Sequence, residues 1–199
     1  PLPATSLAGR EMALPPPRRL VPLAERRQRP GLEQRLGATS YGSWGQQLAP
    51  FLRPGVVIDN LAISGRSSRS FVSCGDWEKL LMRIRKGDYV IVSFGHNDVA
   101  SDANRKTTLQ EFAQFHERFV DDVLARGGHP VLCSPTQNRR FDGKGVFTPS
   151  GYVGERAAVI RAVAERKGVD FVDLSAITRK ELEAVGREGS QCYYMIQRI

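Results

Sequence analysis

The chain has 199 residues, 41% hydrophobic and 25% charged, the balance of a folded globular domain and not of a disordered or fibrous one. No apolar run nears the roughly 18 residues of a membrane-spanning helix, and no basic-then-apolar leader of the secretory type is visible. The formal net charge of +8 raises nucleic-acid binding, but residues 1–40 alone hold seven arginines against three glutamates, and no nucleic-acid-binding motif accompanies them.

Residues 1–40 read as a Pro/Arg-rich irregular segment, and residues 41–199 as one domain. Seven of the twelve prolines fall within the first 30 residues, and proline is excluded from helix interiors and central strands. From Tyr41 onward apolar runs alternate with helical patterns. Residues 44–52 predict a short helix and residues 55–58 a buried strand. Asp76 suits the N-cap of a helix over residues 77–85, closed by Gly87. Residues 89–94 predict a strand. Thr108 and Glu111 spell a capping box, opening a helix whose stripe is Leu109, Phe112, Phe115, Phe119, Val120 and Val123, ended by Gly127-Gly128.

Residues 130–134 predict a strand, 143–150 a loop, and 152–167 a helix stopped by Gly168. Residues 169–174 predict a strand, and Ser175 caps a last helix running to about Val185. Strands alternating with helices of about ten or more residues imply a parallel sheet covered on both faces. Cys74, Cys133 and Cys192 are odd in number and lack metal-ligand spacing, so they read as incidental thiols.

Two polar segments carry the chemistry. Asn60-Leu61-Ala62-Ile63-Ser64-Gly65-Arg66-Ser67-Ser68-Arg69-Ser70-Phe71 follows one predicted strand, and Phe94-Gly95-His96-Asn97-Asp98 follows the next. In an open α/β sheet, ligands bind at the carboxyl ends of the strands. A glycine N–H and an asparagine amide placed there together make an oxyanion hole, which points to acyl transfer. With Trp44-Gly45-Gln46 upstream, these segments resemble blocks II and III of the SGNH (GDSL-type) hydrolases, in the rhamnogalacturonan acetylesterase-like branch, over residues 44–195.

The resemblance implies a three-layer α/β/α sandwich with a parallel, flavodoxin-like sheet, incomplete at both ends. It implies a serine esterase that removes acetyl groups from rhamnogalacturonan (pectin), with Gly65 and Asn97 as oxyanion donors. Ser64, Arg66, His96 and Asp98 would line the site. No metal or organic cofactor is implied. The partner would be an acetylated polysaccharide or other small ester, with no nucleic acid and no membrane, and the chain a monomer. The resemblance implies a secreted or periplasmic location, although no leader is visible and the sequence itself leaves the location unknown.

The chain departs from the family at the residues that make and break bonds. No Gly-Asp-Ser supplies a nucleophile, the nearest echo being Ser6-Leu7-Ala8-Gly9-Arg10-Glu11, and neither Ser40 nor Ser43 follows a strand-like run. No Asp-x-x-His occurs, and the three histidines are His96, His116 and His129. His96 belongs to the oxyanion block, His116 lies beside an apolar stripe, and His129 begins a strand at the wrong edge. Gly65-Arg66-Ser67-Ser68-Arg69 approaches the Gly-x-Ser-x-Gly elbow, but Arg69 replaces its second glycine. Nucleophile and base are therefore unassigned. The expected outcome is an impaired esterase or, alternatively, a non-catalytic carbohydrate-binding relative that keeps the pocket.

Overall fold

Five parallel strands form one sheet in the order β2-β1-β3-β4-β5. The strands are β1 (Arg19–Ala24), β2 (Val57–Ile58), β3 (Tyr89–Ser93), β4 (His129–Cys133) and β5 (Asp170–Val172). The computed structural model describes residues 19–24 and 46–193. The expected helix at residues 44–52 is a 3₁₀ turn, Gln46–Phe51, with Trp44 and Gly45 outside the described residues.

The strand order is that of a flavodoxin-like doubly wound sheet, and the three-layer α/β expectation holds. Two details differ. β1 lies inside the segment expected to be irregular, and it is central, paired with both β2 and β3. Its Pro22 lies beyond the two-residue pairing with β2, so on that flank it interrupts no ladder. β2 is a short edge strand, with Val57 59% exposed, and not the buried strand that its apolar sequence predicts.

The steps β2 to β3, β3 to β4 and β4 to β5 run in one direction across the sheet. Right-handed crossovers therefore place their helices on one face. These are α1 (Ser68–Ser73), α2 (Asp76–Leu81), α3 (Leu109–Ala125) and α4 (Gly151–Lys167). They bury Phe71, Trp77, Leu80, Phe112, Phe119, Val120, Val123 and Ile160 against Val90, Val92 and Leu132. The predicted α3 stripe is the buried one at Phe112, Phe119, Val120 and Val123, whereas Leu109 is 43% exposed. The Trp77 ring packs tilted against Phe119, centroids 4.4 Å apart, and its indole N–H donates to Asp122 at 2.7 Å, so α2 is fastened to α3 by both ends of one ring.

Helix ends explain the remaining differences. α1, unforeseen in the sequence, is opened by a Ser67/Ser70 capping box. Asp76 is not a cap: the N-cap of α2 is Gly75, at φ 73°, and the helix ends at Leu81. α4 stops at Gly168 as expected, at φ 65°. α5 (Leu174–Gly189) is capped by Asp173, whose carboxylate accepts from the Ala176 N–H, and not by Ser175. It kinks at Gly186, and Arg139 then binds Ser190 Oγ at 2.9 Å and the Arg187 carbonyl.

Candidate active site

The strand order reverses between β1 and β3, the place where such sheets open a crevice at their carboxyl edge. Loops 59–67 and 94–99 leave β2 and β3 at that edge. In the first, Asn60 Oδ1 accepts from the Ala62 N–H at 3.1 Å, and the Arg66 N–H reaches back to the Ile63 carbonyl at 3.4 Å. This turn requires φ +80° at its third residue, and Gly65 supplies it. In the second, Gly95 adopts φ +142°, and any Cβ there would lie 2.9 Å from Pro135 Cγ. The glycine thus lets the β3 loop pass against the β4 loop.

The two loops meet. Asn97, at the start of a 3₁₀ turn, donates from Nδ2 to the Arg66 carbonyl at 3.1 Å. That ties the Asn97 side chain to the loop that carries Gly65. Ser64 and Gly65 are half-buried in the same turn. The Arg66 guanidinium turns away to Asp76, Nε to carboxylate 2.7 Å, which raises its pKa further. Arg66 therefore meets Asn97 through its carbonyl and not through its side chain.

His96 is half-buried, with Nδ1 3.0 Å from Tyr152 Oη and Nε2 3.5 Å from Thr136 Oγ1. Asn138 Nδ2 also donates to Tyr152 Oη at 2.6 Å and to Ser150 Oγ at 2.9 Å. The loop after β4 and the first turn of α4 are thus joined to the β3 loop. Tyr152, Asn138 and Thr136 went unread in the sequence. The only signal for Thr136 and Asn138 was position, polar groups just past the carboxyl end of β4, and Tyr152, in the first turn of α4, carried none.

Asp98 does not line the site. It is fully buried and faces inward, accepting from the Ser68 N–H at 3.2 Å, from Ser68 Oγ, and from Thr107 Oγ1 at 3.1 Å. Burial pushes its carboxyl above the usual range, opposed by those bonds and by the Arg156 charge. Ser67 is not a nucleophile elbow, because it is fully buried and its Oγ accepts the Ser70 N–H at 3.1 Å. Ser6, Ser40 and Ser43 lie outside the described residues. His116 is buried in α3 on the Phe112 carbonyl at 2.7 Å, and His129 opens β4 at the opposite edge.

The fold is the flavodoxin-like, three-layer α/β architecture of the SGNH hydrolases. The sequence profile of the GDSL-like lipase/acylhydrolase family matches residues 28–191, and the chain belongs to that family. It is 34% identical over 148 residues to rhamnogalacturonan acetylesterase RhgT of Bacillus subtilis, covering 74% of this chain. The chain spans 62% of that protein's length. It is 30% identical over 179 residues to a rhamnogalacturonan acetylesterase of Emericella nidulans, covering 79% of this chain and 71% of that one. In structure, the chain superposes on protein YxiM of Bacillus subtilis with a TM-score of 0.72 at 23% identity, over 92% of this chain and 50% of that one. An acetylxylan esterase of Geobacillus stearothermophilus, Axe2, gives 0.60 at 20% identity, over 86% and 82%. These two likenesses show the fold.

Proposed function

We propose that this chain carries the substrate pocket of a carbohydrate esterase acting on acetyl groups of a pectic polysaccharide. The observation that carries the reading is the Asn97 amide held on the Arg66 carbonyl beside Gly65. In acyl transfer the carbonyl oxygen gains negative charge as the tetrahedral intermediate forms. The Gly65 N–H and an Asn97 N–H are the donors that receive it, and fixed donors act without reorganising. Named relatives supply the substrate class: two are rhamnogalacturonan acetylesterases. The hydrolysis consumes water and yields acetate and the free sugar hydroxyl.

The chain as it stands contains no Asp-x-x-His and no Gly-Asp-Ser. The expected outcome is therefore hydrolysis of p-nitrophenyl acetate close to the buffer rate, with Asn97→Ala removing any excess over buffer. Appreciable turnover abolished by a serine-directed inhibitor would overturn the impairment, and the labelled serine would be the nucleophile. The same sequence feature favours a second reading, a carbohydrate-binding relative without turnover. Binding of acetylated rhamnogalacturonan oligosaccharides without hydrolysis, lost in Asn97→Ala, would establish it.

A further inference from the structure

A buried arginine sits beneath the candidate pocket, and it has no counterpart in the motifs that point to esterase chemistry. Arg156, on α4, is 4% exposed, among Val153, Ala157 and Ile160 on the buried face of that helix. Its Nη2 donates to the carbonyls of Thr107 at 2.7 Å and Asp98 at 3.3 Å. Its Nη1 donates to Thr107 Oγ1 at 3.0 Å and to the Thr108 carbonyl at 3.3 Å. Below it the Phe112 ring lies 4.4 Å from the guanidinium carbon.

These contacts close the neck of one loop. Residues 97–107 leave the sheet edge and return, and the Thr107 N–H meets the Asp98 carbonyl at 3.0 Å. Arg156 clamps both sides of that crossing. From the crossing, Asp98 reaches the Ser68 N–H at 3.2 Å, while neighbouring Asn97 reaches the Arg66 carbonyl at 3.1 Å. Two adjacent residues of one loop are thereby stitched to two positions of the other, with Gly65 alongside.

Stability alone does not account for an arginine here. Desolvating a guanidinium costs several kcal/mol, and a well-packed apolar side chain is often as good or better at a buried site. An apolar residue between Val153 and Ile160 would extend the existing core. What it would not supply is a planar fork for four acceptors on two strands of one loop.

We infer that Arg156 is the positioning residue of the proposed oxyanion pocket: it locks loop 97–107 so that Asn97 is held on the Arg66 carbonyl, next in the chain to Gly65. The inference rests on Gly65 and Asn97 being the acyl-oxygen donors, and its test keeps the two claims apart. The whole 199-residue chain, labelled with ¹⁵N, is titrated with sodium acetate, the carboxylate of the proposed acyl group. Resonances of the Gly65 N–H and the Asn97 side-chain amide are followed in wild type, Arg156→Lys and Thr107→Val. Arg161→Lys serves as the control, since Arg161 pairs with Asp173 at 2.5 Å on the exposed side of the same helix. Hydrogen exchange is measured on all four proteins.

In wild type, acetate should shift both resonances. In Arg156→Lys its affinity should fall by about tenfold, the value of one charge-assisted hydrogen bond. The Asn97 amide should shift or broaden without acetate, and residues 97–107 should exchange faster. Val90, Val92 and Leu132 should stay protected, which a general loss of stability would not allow. If Arg156→Lys does not fold, Thr107→Val decides, because it removes the hydroxyl shared by Asp98 and Arg156 and strands no charge. Wild-type affinity to within about twofold and an unmoved Asn97 amide in the deciding variant would overturn the inference. If acetate shifts neither resonance in wild type, the pocket reading fails by itself. Unchanged exchange across 97–107 in the variants would then overturn the clamp separately.

Discussion

Single residues at this site are constrained by backbone as much as by chemistry. Gly95 is held at φ +142° with Pro135 Cγ where a Cβ would go, at 2.9 Å. Gly95→Ala should therefore cost roughly 2 kcal/mol, from the strained dihedral and the clash together. Urea unfolding of the two proteins measures it, and wild-type stability in the variant would refute the close approach. Gly65 and Asn97 could be singled out in the sequence because each needs only a strand before it and a polar loop around it. Asp98 read as a site-lining group for the same reason, yet it points into the fold. Its partners Ser68 and Thr107 lie 30 and 9 residues away, and Arg156 is 58 residues from the Asp98 carbonyl it binds. No local pattern encodes such contacts.

Elements whose signals are short-range were legible, and those set by the rest of the sheet were not. The Thr108/Glu111 capping box is present in full: Thr108 Oγ1 accepts the Glu111 N–H at 3.1 Å and Glu111 Oε2 accepts the Thr108 N–H at 2.8 Å. The Arg69 guanidinium, with the Thr108 N–H, holds the Glu111 carboxyl down at about 2. Thr108→Ala should destabilise the fold by about 1 kcal/mol, read from a denaturant midpoint shift at constant m-value. A loss near zero would mean that packing alone fixes the start of α3. β1, by contrast, carries Pro22 inside a proline-rich stretch, and proline normally argues against a central strand. It is tolerated because β2 pairs with only the first two residues of β1. That is a property of the neighbouring strand, invisible in the sequence of β1 itself.

At the scale of the whole molecule, one buried imidazole sets an acid limit. His116 is fully buried among Phe94, Phe112 and Phe119. Burial pushes its pKa down to about 4 from 6.5, with the nearby Arg156 charge acting in the same direction. The unfolded chain therefore takes up this proton first as pH falls. The contribution is complete above about pH 6.5 and is lost as pH falls towards 4, on the order of 3 kcal/mol across that window. Urea unfolding at pH 7 and at pH 4.5 should show the loss. His116→Leu should flatten the dependence between those values, and an unaltered slope would place the titration elsewhere.

The packing of Trp77 against Phe119 also gives the protein an optical probe. Only two tryptophans occur in the chain, and Trp77 is fully buried with its indole N–H donating to Asp122 at 2.7 Å. Its emission should lie to the blue and resist quenching by acrylamide while α2 stays seated on α3. Trp77→Phe removes that component and leaves the signal of Trp44. Fluorescence can thus time the docking of these two helices during refolding separately from the formation of the sheet.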